Sequence, residues 1–178
     1  MRPAEIRFAA DAMLQSLATW LRLLGYDCAG GPRQFGRALL EQSIAEDRVF
    51  LTRNTHLGDD LPHALLARGQ IVHVLEEHLP QQLREVVGKF LLDGEHFVFT
   101  RCVGCNQALH PVDRSAAASR VPPDVAAGDG PLWECPSCHK IYWHGSHVTN
   151  SLTHLHHWLA ATPAVDEDAA SRYPLPPL

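Results

Sequence analysis

Two Cys-x-x-Cys pairs, Cys102–Cys105 and Cys135–Cys138, constrain the fold of this 178-residue chain more than any other feature. A two-residue gap lets both sulfurs of a tight turn face one metal ion, at about 2.3 Å for zinc. Four thiolates complete a tetrahedral shell and leave no position for water, so we expect a structural zinc ion. Such an ion contributes folding free energy, on the order of 10 kcal/mol in small zinc modules.

Two other uses of cysteine pairs fit this chain less well. A disulfide framework needs an oxidising compartment, and the amino terminus lacks the basic and apolar stretches of a signal peptide. We therefore expect a cytoplasmic protein with reduced thiols. A redox pair remains an alternative, but a spacer of about thirty residues between the pairs favours a zinc ribbon. The fifth cysteine, Cys28, has no partner in the sequence and is expected to be a small buried residue.

The overall charge and hydropathy narrow the classes of partner. A formal net charge of −5 disfavours a strong, indiscriminate grip on nucleic-acid phosphates, although a local basic face is compatible with it. No apolar run approaches the roughly 18 residues of a membrane helix, so we expect no membrane association.

Hydrophobic periodicity predicts alternating strands and helices in the first half of the chain. Strands are predicted at 6–10, 49–52 and 71–75, and helices at 13–24, 34–46, 61–66 and 79–90. This alternation is typical of the α/β class, with a parallel sheet flanked by helices.

Polar residues follow two of these strands directly. Asp11 ends the first strand and Asn54 follows the second, and ligands of open α/β sheets bind beyond the carboxyl ends of the strands. A lone aspartate at this point is also a common helix cap, and Asp11 is well placed to cap the helix that begins near Met13.

The second half of the chain has a different character. Short strands at 97–101, 133–134 and 141–143 flank the cysteine pairs, and a helix is predicted at 148–159. Residues 115–130 are rich in Ala, Gly, Pro and Asp, which indicates an exposed, mobile excursion. We divide the chain into an α/β domain (1–95), a small zinc ribbon with a carboxyl-terminal helix (96–160) and a disordered tail (161–178).

Taken together, several ordered motifs resemble one known family, the Mut-seven C-terminal RNase domain family. They are Asp11, Leu-Ala-Thr-Trp-Leu-Arg at 17–22, Leu-Gly-Tyr-Asp at 24–27, Leu-Thr-Arg at 51–53, the cysteine pairs, and Tyr-Trp-His-Gly-Ser-His at 142–147. The resemblance spans about residues 6–147. It implies a PIN-like nuclease fold followed by a zinc ribbon, and RNA cleavage that depends on Mg²⁺ or Mn²⁺ held by acidic residues at strand ends.

The resemblance also implies catalytic residues, and this sequence departs from the family pattern at two places. Asp11 matches the first acid of the family, but Asn54 stands where the family has an aspartate, and the segment 32–37 lacks the acid common before the second helix. Asparagine offers a metal ion a carbonyl oxygen without a negative charge, so metal affinity should fall. Asp27, Asp59 and Asp60 are candidates to compensate, although the acidic pair Asp59-Asp60 is also typical of a helix start.

Cationic and aromatic residues supply candidates for RNA contact. Arg22 and Arg53 are candidate phosphate ligands because a guanidinium presents a planar fork of donors, and a salt bridge is the alternative for each. Tyr142 and Trp143 are suited to stack on an unpaired base or to fill the ribbon core. His144 is expected to pack the ribbon against the α/β domain.

Three hypotheses follow. The first is a metal-dependent ribonuclease that is weakened by Asn54. The second is a non-catalytic RNA-binding protein that retains the cleft and the zinc ribbon. The third, a zinc-stabilised scaffold for protein partners, has the least support in the sequence.

Overall fold

The computed structural model describes residues 6–31, 34, 36–93 and 98–160. The first part of the chain forms β1 (Arg7–Ala10), a short 3-10 turn (Ala12–Leu14), α1 (Gln15–Leu23), β2 (Asp27–Ala29), α2 (Gly36–Ala45), β3 (Val49–Thr52), α3 (Leu57–Asp60), α4 (His63–Leu66), β4 (Gln70–His73) and α5 (Leu79–Phe90). The second part forms β5 (His110–Pro111), α6 (Arg114–Ala117), a 3-10 turn (Ala118–Arg120), α7 (Pro123–Ala127), β6 (Leu132–Glu134), β7 (Ile141–Trp143) and α8 (Ser146–Ala160).

The first part is built on a parallel sheet with the strand order β2-β1-β3-β4. Strand β2 lies on one side of β1, and β3 and β4 lie on the other side. The direction in which strands are added to the sheet therefore reverses at β1, between β2 and β3. Ligands of such sheets bind at this switch point, beyond the carboxyl ends of the strands. The predicted α/β class is confirmed.

Helices cover both faces of the sheet because successive strand side chains point in opposite directions. Phe8 and Leu51 pack with α1, α5 and α8 on one face, whereas Ala9 and Phe50 pack with α2 and α3 on the other. All four of these strand side chains are fully buried. The continuous apolar runs in β1 and β3 therefore reflect central strands that are covered on both sides.

The sequence missed β2, which is the edge strand beside β1. Its three residues are too short to show a periodic pattern, and the strand is defined instead by its pairing with Arg7–Ala9. Cys28 in its centre is fully buried, as predicted, and burial raises the pKa of its thiol to about 12.

The second part contains an antiparallel sheet with the order β5-β6-β7. The strand predicted at 97–101 does not form over its described residues. Phe99 has a φ of 61°, which breaks the extended backbone, and Arg101 makes only an isolated bridge to Ala108. Phe97 lies outside the described residues.

The segment 115–130, predicted to be an exposed and mobile excursion, is mostly exposed but has regular structure, and its mobility remains a prediction. This segment forms helical turns and buries Ala117 against Leu132 and Ile141 of the ribbon. Arg120 anchors it further through an ion pair with Glu134, with 2.7 Å between Nη1 and Oε1. The small side chain of Ala117 thus lets this segment pack against the ribbon.

Helix α8 returns to the α/β sheet after the ribbon. Leu155 and Trp158 belong to the same core as Phe8, and the rings of Trp158 and Trp20 lie 4.6 Å apart between centroids. None of the described helices is both long and apolar enough to cross a membrane. The predicted tail at 161–178 lies outside the described residues, and the domain boundaries drawn from the sequence remain predictions.

Candidate functional site

Asp11 occupies the carboxyl end of β1, at the switch point of the sheet. The residue is only 5% exposed, and both of its carboxylate oxygens accept hydrogen bonds. The Met13 backbone N–H donates to Oδ1 at 2.9 Å, which makes Asp11 the cap of the following 3-10 turn. The Thr52 hydroxyl donates to Oδ2. Asp11 is therefore able to cap the turn and to bind a ligand at the strand end, because each carboxylate oxygen keeps a further lone pair.

Thr52 links Asp11 to the end of the neighbouring strand. Its fully buried hydroxyl also accepts a hydrogen bond from the Asn54 backbone N–H at 3.0 Å. The side-chain oxygen of Asn54 in turn accepts from the His56 backbone N–H at 2.9 Å. A continuous hydrogen-bonded path thus runs from Asp11 along the end of β3.

The remaining predicted residues at this edge are Arg53 and Asp59. Arg53 is half-buried, and its guanidinium has no ion-pair partner within the part of the chain that the structure describes. Asp59 is exposed in α3 and pairs with His56, with 3.0 Å between Oδ2 and Nδ1. The structure therefore connects Asp11 with Asn54 through Thr52 and places Arg53 directly after β3, whereas Asp59 lies on α3 and is paired with His56.

The residues at this edge fit only part of the coordination shell of a catalytic cation. Among the described residues, Asp11 is not part of any convergent group of three or more Asp, Glu, His or Cys side chains. The Asn54 carbonyl oxygen is already an acceptor for His56. Mg²⁺ is often held by one or two carboxylates with waters and substrate phosphates. The edge suits a cation that is shared with a substrate better than a site formed by protein ligands alone.

The four cysteines form a cluster with the geometry expected of a metal site. The ligand atoms of Cys102, Cys105, Cys135 and Cys138 all lie within 4.8 Å of one another. The sulfurs of Cys102 and Cys138 are 3.7 Å apart, close to the edge of about 3.8 Å of a tetrahedron with zinc–sulfur bonds of 2.3 Å. The cluster therefore fits a structural zinc ion.

The two cysteine turns share one backbone design. In each turn the first cysteine accepts a backbone hydrogen bond, from Asn106 to Cys102 at 2.8 Å and from His139 to Cys135 at 2.9 Å. The donors Asn106 and His139 both adopt left-handed backbone conformations, with φ of 65° and 59°. The repeated sequence spacing is thus a repeated geometry.

A tyrosine from β7 supports the negative charge on the cluster. Burial opposes ionisation of Cys102, but the Tyr142 hydroxyl and the backbone N–H groups of Cys105 and Gly104 outweigh it and lower its pKa to about 7. The Tyr142 oxygen lies 3.0 Å from the Cys102 sulfur. This contact favours the structural role of Tyr142 over stacking on a base.

Arg22 lies away from solvent and joins the zinc ribbon to the α/β sheet. It donates to the carbonyl oxygens of Cys28 at 2.8 Å, Gly30 at 2.6 Å, Val103 at 3.0 Å and Gly104 at 3.2 Å. Arg22 as a whole is only 4% exposed. These contacts occupy both terminal nitrogens, so the geometry favours a structural role over the phosphate contact predicted for Arg22.

Asp27 also belongs to this junction and is remote from Asp11. It pairs with Arg7 at the amino end of β1, about 13 Å along the sheet from Asp11. Its Oδ1 accepts from Arg48 at 2.5 Å and from Asn106 at 2.7 Å. Burial opposes ionisation of Asp27, but these hydrogen bonds outweigh it and lower its pKa. The structure therefore does not bring Asp27 to the strand-end site.

The comparison with protein families bears directly on this arrangement. Residues 6–155 match the profile described as the Mut7-C RNAse domain, which covers most of the chain. The chain belongs to the Mut7-C RNase domain family. No curated protein and no solved structure gives a significant match. Membership in the Mut7-C family supports a nuclease-like role, and the match extends across both the strand-end site and the cysteine cluster.

One residue beside Asp11 has a role that the sequence alone does not indicate. Thr52 belongs to the Leu-Thr-Arg motif at 51–53, but only its burial and its hydrogen bond to Asp11 show that it orients the carboxylate.

Proposed function

We propose that the protein hydrolyses phosphodiester bonds of RNA at the carboxyl edge of its parallel sheet, at a rate limited by the replacement of an acid by Asn54. Asp11 is the proposed anchor for Mg²⁺ or Mn²⁺, which is shared with a substrate phosphate. The bound cation would neutralise charge on the phosphoryl oxygens and lower the pKa of an attacking water. Zinc in the ribbon has a structural role only.

The main support for this proposal is the structural environment of Asp11. A buried carboxylate at the switch point of an α/β sheet, with its two oxygens fixed by Met13 and Thr52, is pre-oriented toward the place where ligands of such folds bind. Membership in an RNase family supports the same role.

Arg53 is the proposed phosphate ligand at this edge. Arg53 follows β3 directly, and its guanidinium has a planar fork of donors suited to the phosphates of an RNA backbone at this strand end. The proposal predicts a salt-dependent contribution to RNA affinity, because each neutralised phosphate releases counterions. Lysine in its place should retain part of this contribution.

The first experiment measures cleavage of labelled single-stranded and structured RNA by zinc-loaded protein, with Mg²⁺ or Mn²⁺. Asp11→Asn preserves the shape and the cap while it removes the charge, and Asp47→Asn is the matched control at an exposed residue before the amino end of β3. We expect cleavage that requires added metal and is lost only in Asp11→Asn. Equal cleavage in all three proteins would remove Asp11 from the mechanism.

Asn54→Asp tests whether Asn54 limits the rate of RNA cleavage. A second carboxylate beside Asp11 should increase metal affinity and raise the cleavage rate, on the order of tenfold or more if it supplies a direct ligand. An unchanged rate would show that Asn54 is not what limits the activity.

The alternative is an RNA-binding protein without catalysis. It is favoured by one observation, that Asp11 lacks a convergent second and third ligand among the described residues. Under this alternative the wild type and Asp11→Asn bind RNA equally and neither cleaves it under any metal. A chain that binds no RNA at all would leave the scaffold hypothesis. For either RNA function we propose the cytoplasm as the compartment, since it keeps thiols reduced.

A further inference from the structure

The outer edge of β2 is held by the first cysteine turn (residues 102–106) and not by another strand of the described sheet. The side-chain oxygen of Asn106 accepts from the Cys28 backbone N–H at 3.0 Å, and its Nδ2 donates to Asp27 Oδ1 at 2.7 Å. The Asn106 backbone N–H closes the turn through the Cys102 carbonyl at 2.8 Å. The position of β2 therefore depends on the shape of the turn that carries two of the metal ligands.

Arg22 connects the same turn to the residue that follows β2. Its Nη1 donates to the carbonyl oxygens of Val103 and Gly104, its Nε donates to Cys28, and its Nη2 donates to Gly30 at 2.6 Å. A guanidinium is planar, so these donors move together. A shift of the turn that takes away the buried acceptors of Nη1 is costly, and it also displaces the donor that holds Gly30.

Gly30 lies directly against the end of β1. A Cβ built on Gly30 would be 2.1 Å from the carbonyl oxygen of Ala10, so the two backbones are in close contact. Ala10 precedes Asp11, whose backbone N–H donates to the Leu51 carbonyl at 3.1 Å. Described contacts thus lead without a gap from the cysteine turn through Arg22 and Gly30 to the backbone of the strand-end carboxylate.

A second arginine shows what a purely structural link looks like. Arg101 donates to the Gly25 carbonyl at 3.1 Å and to the Asn106 carbonyl at 2.8 Å, so it also ties the ribbon to the α/β part. Gly25 lies before β2, at the end remote from Asp11. Of the two arginines, Arg22 reaches the carboxyl end of β2. Arg101 is therefore the matched control for Arg22.

We infer that zinc binding at the cysteine cluster orders the carboxyl end of β1 through Arg22 and Gly30, and that Arg22 is a positioning residue for Asp11. The part of this inference that concerns RNA cleavage rests on the proposed function. Zinc fixes the carbonyls of the first cysteine turn, and these fix the guanidinium. Without zinc the turn loosens, Arg22 releases Gly30, and the backbone at Asp11 opens more often.

The test measures amide hydrogen exchange of zinc-loaded wild type, Arg22→Lys and Arg101→Lys, and of zinc-free wild type. Lysine keeps the charge but replaces a fork whose two terminal nitrogens contact different segments. The readout is the exchange rate of the Asp11 N–H, and the reference is the N–H of Val86, a buried residue inside α5. Exchange rates report local opening, and coupling between sites is typically worth about 5-fold to 150-fold. We expect zinc removal and Arg22→Lys each to accelerate exchange at Asp11 by a factor in this range relative to Val86, and Arg101→Lys to leave that ratio unchanged.

Cleavage of labelled unpaired RNA at saturating Mg²⁺ or Mn²⁺ tests the positioning role. Small displacements of a reacting group lower rates by up to about 100-fold, so zinc-loaded Arg22→Lys should lose about tenfold in kcat. Arg101→Lys, which leaves the contact with Gly30 intact, should retain the wild-type kcat. Equal losses of kcat in the two variants would overturn the positioning role, because the effect would then come from the junction as a whole.

The outcomes separate this inference from the proposed function. Equal acceleration of exchange at Asp11 and Val86 would overturn the coupling, because it reports unfolding of the whole protein. Metal-dependent cleavage that is lost in Asp11→Asn, together with an Asp11 exchange rate indifferent to zinc and to Arg22→Lys, would overturn the inference alone. Wild-type protein that cleaves no RNA under any metal would overturn the proposed function and the positioning role with it, whereas the exchange rates would still decide the coupling.

Discussion

Gly30 makes the closest backbone approach beside the strand-end site, and its replacement gives a quantitative test of the structure. Its φ is +118°, and a Cβ built on it would lie 2.1 Å from the carbonyl oxygen of Ala10, the residue before Asp11. Real Cβ atoms essentially never come within 3.0 Å of such an atom, so Gly30→Ala requires a backbone shift of about 1 Å. The Gly30 carbonyl is held by Arg22 at 2.6 Å, which opposes that shift.

The size of the effect follows from two costs. A side chain in this backbone region costs on the order of 1–3 kcal/mol. Overpacking against the carbonyl adds a similar amount, so we expect Gly30→Ala to lose about 2–6 kcal/mol of the free energy of unfolding. For a chain of this size a loss near 4 kcal/mol lowers Tm by about 8–16 °C.

The assay is urea unfolding followed by circular dichroism, with Gly88→Ala as the matched control. Gly88 lies inside α5, and a Cβ there would meet nothing within 4 Å. Because alanine is the better helix former, Gly88→Ala should stabilise the protein by about 0.5–1 kcal/mol. If Gly30→Ala unfolds at the same urea concentration as the wild type, Gly30 does not approach Ala10 as closely as described here.

Three further predictions concern the metal centre and its junction with the sheet. Tyr142→Phe removes the hydroxyl that donates to Cys102, so competition with a chelator should show zinc affinity lowered by about 10-fold to 100-fold; unchanged affinity would argue against that contact. Zinc removal should lower Tm, and added zinc should restore it, because the ion contributes to folding; a Tm indifferent to chelation would contradict a structural metal. The pKa of Asp27 is lowered in the folded protein, so its ionised carboxylate stabilises the fold. This stabilisation is fully present above the unfolded pKa of about 3.9 and is lost as pH falls through the folded pKa. Between about pH 5 and 2 the Tm of the wild type should therefore fall more steeply than that of Asp27→Asn, and parallel curves would refute the role of the pair with Arg48.

The elements predicted best from the sequence are those whose signal is local. Helix α5 was predicted at its observed bounds because Pro80 lies in its first turn and its apolar residues repeat with the helical period. Strand β3 was predicted equally well because four consecutive buried residues form a central strand. The cysteine spacing predicted the metal cluster for the same reason, since each pair forms its own turn.

The features that were missed depend on contacts between distant segments. Strand β2 exists because it pairs with β1 and because Asn106 of the first cysteine turn accepts a hydrogen bond from the Cys28 N–H at 3.0 Å. Asp27 and Arg22 lie within motifs that resemble a nuclease family, yet their side chains serve the junction with the ribbon. A motif identifies which residues matter but not which of them face the substrate.

The return of α8 to the sheet has a consequence for the order of folding. Trp158 covers Trp20 of α1, and almost the whole ribbon lies between these two residues in the sequence. During synthesis the face of α1 and α5 that α8 covers stays bare until the ribbon has left the ribosome. Domains tend to fold as units from the amino terminus, and long-range contacts form slowly. We therefore expect the nascent sheet to need zinc capture, or a chaperone, before its last helix docks.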